Sequence, residues 1–119
     1  MSDQSNATIY HNKRCSTSRK TLQLLRDNGI EPTIVNYLDE PPTRAELASL
    51  IEQAGLQVRQ AIRAKEDIYK ELGLADASDD ELLDAMIAHP ILIERPLVVT
   101  ERGVRLARPV ENILEILPE

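Results

Sequence analysis

Residues 7–38, ATIYHNKRCSTSRKTLQLLRDNGIEPTIVNYL, decide the fold. Residues 7–11 predict a short strand, a helical pattern of apolar residues runs from near Ser16 to near Asn28, and residues 33–38 predict a second strand. A strand, a helix and a strand within about 30 residues are typical of a right-handed βαβ unit, whose two strands are parallel.

The middle third of the chain is predicted to be helical. Thr43 with Glu46, and Ser78 with Glu81, have the spacing of a capping box, in which side chain and backbone at a helix start bond each other. These signals lie within a helical insertion that we place at about residues 43–89.

Residues 58–72 extend this helical character, while residues 97–100 and 104–107 predict a β-hairpin and residues 110–117 a closing helix. The predicted order is therefore β-α-β, helices, β-β-α, which indicates an α/β protein. Nothing in the composition marks a linker, so residues 1–119 are expected to form a single domain with the helical insertion inside it.

Composition excludes several classes of function. The 119 residues carry a net charge of -6 and contain three tyrosines but no Phe or Trp, and the 14 Lys and Arg residues are scattered. Such a chain offers neither a basic face nor stacking platforms, so we expect no nucleic-acid partner. No run of about 18 apolar residues and no signal peptide is present, so we expect no membrane partner and a cytoplasmic location.

Cys15 is the only cysteine of the chain, and it lies where a strand pattern gives way to a helix pattern. Amide groups at a helix N-terminus carry partial positive charge, and nearby His11, Lys13, Arg14 and Arg19 add cationic groups, so a thiolate is expected to be stabilised here. A lone cysteine is often a small apolar filler, but these polar neighbours favour a reactive nucleophile.

Spacing around Cys15 excludes other chemistries. The phosphate loop of cysteine phosphatases requires arginine at position 21, which is Thr21, and a Cys-x-x-Cys motif requires a second cysteine where Ser18 stands. Any redox cycle must therefore borrow its second thiol from another molecule. His11, Cys15 and His89 lack the paired spacing of a metal site, so we expect no metal.

Three arginines lie beside prolines or within apolar stretches, at Arg63, Arg95 and Arg108. The planar guanidinium suits a tetrahedral oxyanion because its N–H groups bind two oxygens at once. Their spacing alone favours ordinary surface residues, since 20 acidic side chains are available to pair with them.

The segment HNKRCSTSR at residues 11–19 resembles the active-site loop of the glutaredoxin-coupled arsenate reductases, whose usual pattern is Tyr-His-Asn-Pro-x-Cys followed by small hydroxyl residues and arginine. The resemblance continues through EPTI at 31–34, YKELGLA at 69–75, HPILIERPLVV at 89–99 and RLARP at 105–109. Lys13 is a departure, because many members carry proline there. The likeness covers nearly the whole chain.

This resemblance implies a thioredoxin/glutaredoxin-like mixed sheet with a helical insertion, and it implies roles for individual residues. The nucleophile falls on Cys15, a histidine that lowers the thiol pKa on His11, and the oxyanion-binding arginines on Arg63, Arg95 and Arg108. The Arg95-Pro96 bond resembles the cis-proline element of such folds.

The implied function is arsenical resistance through reduction of arsenate to arsenite by way of a cysteine thioarsenate. No bound cofactor is implied; glutathione is the co-substrate, and glutaredoxin is the protein partner. Two alternatives stay open: a transcription regulator of the same fold that binds RNA polymerase, although such regulators usually carry the Cys-x-x-Cys that Ser18 interrupts, and a paralogous glutathione-dependent thiol enzyme with a different substrate.

Overall fold

The structure is a computed structural model that describes residues 7–117. Its four-stranded sheet has the order β2-β1-β3-β4, in which β1 pairs parallel with β2 and antiparallel with β3, and β3 pairs antiparallel with β4. The strands are β1 (Thr8–His11), β2 (Thr33–Asn36), β3 (Leu97–Thr100) and β4 (Gly103–Leu106). The predicted α/β class, the parallel pair and the hairpin are confirmed.

Four α-helices and four 3-10 helices accompany the sheet within residues 7–117. The α-helices are α1 (Ser16–Asp27), α2 (Arg44–Gln53), α3 (Asp67–Glu71) and α4 (Asp79–Ala88), and the 3-10 helices are Val58–Ala61, Leu74–Asp76, Pro90–Leu92 and Val110–Ile116. No helix in this described part of the chain is long and apolar enough to cross a membrane.

The chain forms two compact units. The first, called here the sheet unit, comprises Met1–Glu40 and Arg95–Glu119, and the second, the helical unit, comprises Pro41–Glu94. The range predicted for the insertion, about residues 43–89, lies within the bounds of the helical unit. That both units make up a single domain stays a prediction.

The core of the sheet unit joins α1, the sheet and the final 3-10 helix. Ile9 of β1, Leu25 of α1, Val98 of β3 and Ile113 of the final helix are all fully buried in one cluster. Removing such aliphatic side chains from water contributes about 1.5–3 kcal/mol each, which fixes α1 and β1 in place. The loop between β1 and α1, which carries Cys15, is thereby held at both ends.

Both predicted capping boxes are present in the helical unit. The Thr43 hydroxyl accepts the Glu46 N–H at 3.1 Å and the Glu46 carboxylate accepts the Thr43 N–H at 2.8 Å. Ser78 and Glu81 exchange the equivalent bonds at 3.2 and 2.9 Å. Each pair satisfies two backbone donors that a helix start would otherwise leave without partners.

Three sequence expectations differ from the structure. The second strand ends at Asn36, because the Asn36 carbonyl accepts the N–H groups of Asp39 and Glu40 in a turn. The stretch 58–72 is not continuously helical: Ile62 has extended backbone and forms an antiparallel bridge with Ile93. The closing helix is a 3-10 helix that ends at Ile116.

Candidate active site

Cys15 occupies the N-cap position of α1, as the sequence predicts. Its N–H donates to the Asn12 carbonyl at 3.0 Å, which closes the turn after β1, and its side chain makes no capping hydrogen bond. No acidic residue stands in the first turn of α1. The first amide groups of α1 therefore lie near the half-buried sulfur without a carboxylate of their own turn beside them.

The pKa of the Cys15 thiol is lowered from its ordinary value. Burial is the largest single influence and raises the pKa, but the nearby N–H groups of Ser18 and Thr17, the Arg95 side chain and the charge of Arg108 together outweigh it. These groups favour the charged form, so the thiolate predominates at a lower pH than for a free cysteine. The lowered pKa that the sequence predicts for this thiol therefore has identified causes in these neighbouring groups.

Arg95 and Arg108 both reach the sulfur from segments far along the chain. Arg108 Nη2 lies 3.6 Å from Cys15 Sγ, and its Nε donates to the Arg95 carbonyl at 2.8 Å. The Arg95 side chain is 7% exposed. Both arginines precede a cis-proline, at Arg95-Pro96 and at Arg108-Pro109. The structure thus brings two of the three sequence-predicted arginines to the cysteine.

His11 is buried against Ser18. The His11 Nδ1 and the Ser18 hydroxyl are 2.6 Å apart, and the Asn12 N–H donates to the same hydroxyl at 3.1 Å. Burial, together with the charges of Arg19 and Arg26, lowers the pKa of His11 below 6.5. The ring is therefore mainly neutral at neutral pH, and Nδ1 shares one hydrogen bond with the Ser18 hydroxyl, in which the ring tautomer sets the donor.

This arrangement means that His11 would have to influence the thiol through Ser18 instead of through a charge of its own. A neutral ring adds no positive charge near the sulfur, and its hydrogen bond goes to Ser18 rather than to Cys15. Ser18 is the residue that sequence reasoning missed: its hydroxyl joins His11 to Asn12, and its N–H lowers the pKa of Cys15. The available signal was its position three residues after the cysteine. The influence of His11 on the thiol stays a prediction.

Arg63 belongs to the helical unit, where two carboxylates bind it. Its Nε donates to Glu66 at 3.1 Å and its Nη1 to Glu94 at 2.8 Å. Burial lowers the pKa of Arg63, but these two partners outweigh it and raise the pKa above its ordinary value. Its predicted oxyanion-binding role stays a prediction.

Two concave surfaces of the sheet unit adjoin the Cys15 loop. A pocket of about 310 Å³ is lined by His11, Asn12, Lys13, Arg14, Asn36, Leu38 and Asp39. A groove of about 620 Å³ lies along α1 and the segment 108–111. Within residues 7–117, no three His, Cys, Asp or Glu side chains are grouped to hold a metal ion.

Comparison with known proteins gives consistent matches. The ArsC family profile matches residues 10–116. An arsenate reductase of Rhizobium meliloti strain 1021 is 60% identical over 114 residues, which cover 94% of this chain and 81% of that protein. The solved structure of an arsenate reductase from Vibrio cholerae has a TM-score of 0.89 at 51% identity and covers 93% of this chain and 97% of that one. These matches confirm the predicted thioredoxin-like mixed sheet.

A further relative is a protein whose name states no function. The Escherichia coli K12 protein named as the uncharacterized protein YfgD is 49% identical over 112 residues, which cover 92% of this chain and 94% of that protein.

Proposed function

The chain belongs to the ArsC family, and on that premise we propose that it is an arsenate reductase with Cys15 as its nucleophile. The observation that carries the proposal is the contact of Arg108 Nη2 with Cys15 Sγ at 3.6 Å, at a helix N-terminus without a cap. The same positive groups that stabilise the thiolate are positioned to receive an oxyanion beside it.

In the first step, the Cys15 thiolate attacks the arsenic of arsenate, a sulfur–arsenic bond forms, and one arsenate oxygen leaves as water after protonation. Arg95 and Arg108 offset the repulsion between an anionic nucleophile and an anionic substrate. Fixed donors of this kind commonly lower a barrier by about 3–4 kcal/mol. Arsenic remains pentavalent in the resulting thioarsenate.

External thiols then complete the reduction. Glutathione forms a second sulfur–arsenic bond and a further oxygen leaves as water. A glutaredoxin thiolate next attacks the glutathione sulfur, so a disulfide forms, the sulfur–arsenic bond breaks, and its electron pair reduces arsenic to the trivalent state. Hydrolysis releases arsenite and restores the Cys15 thiol. The scheme fits a chain with one cysteine and a reducing, cytoplasmic setting.

The remaining site residues are part of the proposal. His11 acts through Ser18, whose N–H lowers the pKa of the thiol, so it is assigned as a residue that positions the thiolate. Arg63 is assigned to the oxyanion through the family resemblance. Because two carboxylates already hold it, Arg63→Ala is expected to raise KM for arsenate if this role is correct, and to alter only stability if the pairing is structural.

The decisive experiment follows NADPH oxidation with arsenate, glutathione, glutaredoxin and glutathione reductase present, and with the Cys15→Ser protein as control. We expect arsenate-dependent turnover that stops when glutathione or glutaredoxin is omitted, and little activity with thioredoxin alone. Repeated arsenite release without either donor would overturn the electron path. An absence of any arsenate-dependent oxidation would overturn the assigned substrate.

A paralogous thiol enzyme with another substrate is the second candidate. The observation behind it is that the YfgD relative, at 49% identity, carries no arsenate reductase name. Phosphate shares the charge and shape of arsenate, so binding alone does not separate the candidates. A protein that binds arsenate but forms no thioarsenate detectable by intact-protein mass spectrometry would favour this alternative.

A further inference from the structure

The groove of about 620 Å³ lies entirely within the sheet unit. One wall is a single face of α1, on which Thr17, Lys20, Leu24 and Asp27 follow helical spacing, and the other wall is the segment 108–111 that follows β4. Its volume falls in the range of about 300–1,000 Å³ that is usual for small-molecule sites.

Two residues of the groove wall stand near the reactive sulfur. Arg108 lines the groove and also contacts Cys15 Sγ at 3.6 Å, and Thr17 lines it while its N–H lowers the pKa of the thiol. A molecule at the end of the groove formed by Thr17 and Arg108 is therefore close to Cys15, which is not itself a lining residue.

Charges of both signs line this surface. Lys20 and Arg108 are cationic, whereas Asp27 and Glu111 are anionic. Neither Lys20 nor Glu111 has a hydrogen-bond or ion-pair partner for its side chain in the described range 7–117, and both are exposed, so a ligand can meet them without breaking an existing pair. Half-buried Leu24 adds an apolar surface between them. A plain oxyanion would be repelled by the two carboxylates, whereas a zwitterion matches this pattern.

We propose that this groove binds the γ-glutamyl arm of glutathione, with the α-carboxylate at Lys20 and the ammonium at Glu111. The inference rests on the proposed function, which requires a small zwitterionic peptide thiol to reach Cys15. At a rise of about 1.5 Å per residue, Lys20 lies about 8 Å along α1 from Cys15. An extended chain reaches about 3.5 Å per residue, so an arm that starts at a sulfur beside Cys15 reaches about 7 Å.

The binding mode places the glutathione sulfur for the second step of the reaction. The incoming thiol forms a bond to the pentavalent arsenic carried by Cys15, and its proton leaves with an arsenic oxygen as water. No electrons are transferred in this step. The groove thus raises the local concentration of one particular thiol at the adduct.

The test measures binding without any reaction. S-methylglutathione, which cannot attack arsenic, is titrated into the ¹⁵N-labelled full chain, with Lys20→Met as the variant and Lys70→Met as a matched control, since Lys70 is an exposed lysine outside the groove. We expect saturable shifts at α1 and residues 108–111. Loss of one partly exposed charge pair should weaken binding by about threefold to tenfold in Lys20→Met only.

A second measurement identifies the γ-glutamyl arm and separates the two proposals. Wild type should prefer glutathione over cysteinylglycine as electron donor, and Lys20→Met should raise KM for glutathione while KM for arsenate is unchanged. Shifts that map to the pocket at residues 11–14, or an equal loss in Lys70→Met, would overturn the groove assignment even with full turnover. Groove shifts in a protein that reduces no arsenate would overturn the proposed function alone.

Discussion

Helices α2 and α4 begin with closed capping boxes, whereas α1 begins at Cys15, whose side chain makes no capping hydrogen bond. A good cap is worth about 1 kcal/mol, so α1 forgoes stability that the other two helices have. The amide groups left over at α1 point to the sulfur and lower its pKa. In this chain, a capped helix start stabilises the fold, and an uncapped one stabilises an anion.

The charges of the first turns follow the same division. α4 carries Asp79, Asp80 and Glu81 in its first turn, so its own carboxylates neutralise the positive end of the helix dipole. α1 has no acidic residue there, and Arg95 and Arg108 add positive charge from other segments. The α1 terminus therefore keeps its attraction for an anion from outside.

The largest effect is expected when the uncapped start receives a cap. Cys15→Ser supplies a hydroxyl that accepts a helix N–H, so at a pH low enough for the Cys15 thiol to be protonated the free energy of unfolding should rise by about 0.5–1 kcal/mol. Arsenate turnover should fall below detection, because a serine hydroxyl stays protonated near neutral pH. Thermal unfolding and the coupled assay check the two parts, and substantial activity in the serine protein would refute Cys15 as the nucleophile.

Removal of the distant positive groups should have the next largest effect. Arg95→Ala or Arg108→Ala is expected to lower kcat/KM for arsenate by roughly tenfold to several hundredfold, because a fixed donor at the developing charge is lost. Lysine at the same position should rescue activity only partly, since it offers a point charge instead of a planar fork. Wild-type kinetics in both alanine proteins would show that neither arginine contributes to catalysis.

The pKa of Cys15 gives a smaller effect with a defined sign. Iodoacetamide alkylation should reach half its maximal rate at a pH below that of a free cysteine, because the folded-state pKa is lowered. The thiolate therefore contributes its full stability only above the higher pKa of the unfolded chain, and that contribution is lost progressively as pH falls through the folded-state pKa.

His11→Ala should move the alkylation midpoint upward, because Ser18 loses the ring that fixes its hydroxyl and hence its N–H beside the sulfur. The Arg108→Ala protein serves as the positive control for such a shift. The prediction fails if Arg108→Ala moves the alkylation midpoint and His11→Ala does not. Ser18 would then hold its position without the histidine.

The smallest effect concerns the capped helices. Ser78→Ala or Thr43→Ala removes the hydroxyl that accepts a helix N–H, at 3.2 Å in α4 and 3.1 Å in α2, and should cost about 1 kcal/mol of unfolding free energy. The pKa of Cys15 should not change. Chemical denaturation gives the first quantity and alkylation the second, and a shifted thiol titration would contradict the division between caps and anion sites.

Local patterns allowed the sequence to predict most of the secondary structure. The strand before Cys15, helix α1 and both capping boxes depend on residues within a few positions of one another, so periodicity and spacing suffice. The prediction of continuous helix over residues 58–72 was wrong because it ignored a partner distant in sequence. Ile62 is extended because it pairs with Ile93. The spacing of apolar residues also could not predict that the final helix is a 3-10 helix instead of an α-helix.

The sequence by itself determined that Cys15 lies at the start of a helix, that it has no internal thiol partner and that arginines stand beside prolines. The tertiary structure alone decided which arginines meet the sulfur, since Arg108 and Cys15 are 93 residues apart and only folding brings them within 3.6 Å. It also decided that His11 is neutral and bound to Ser18, because burial and neighbouring charge set a pKa. Short-range geometry is encoded in spacing, whereas electrostatics depends on distances that the packed core establishes.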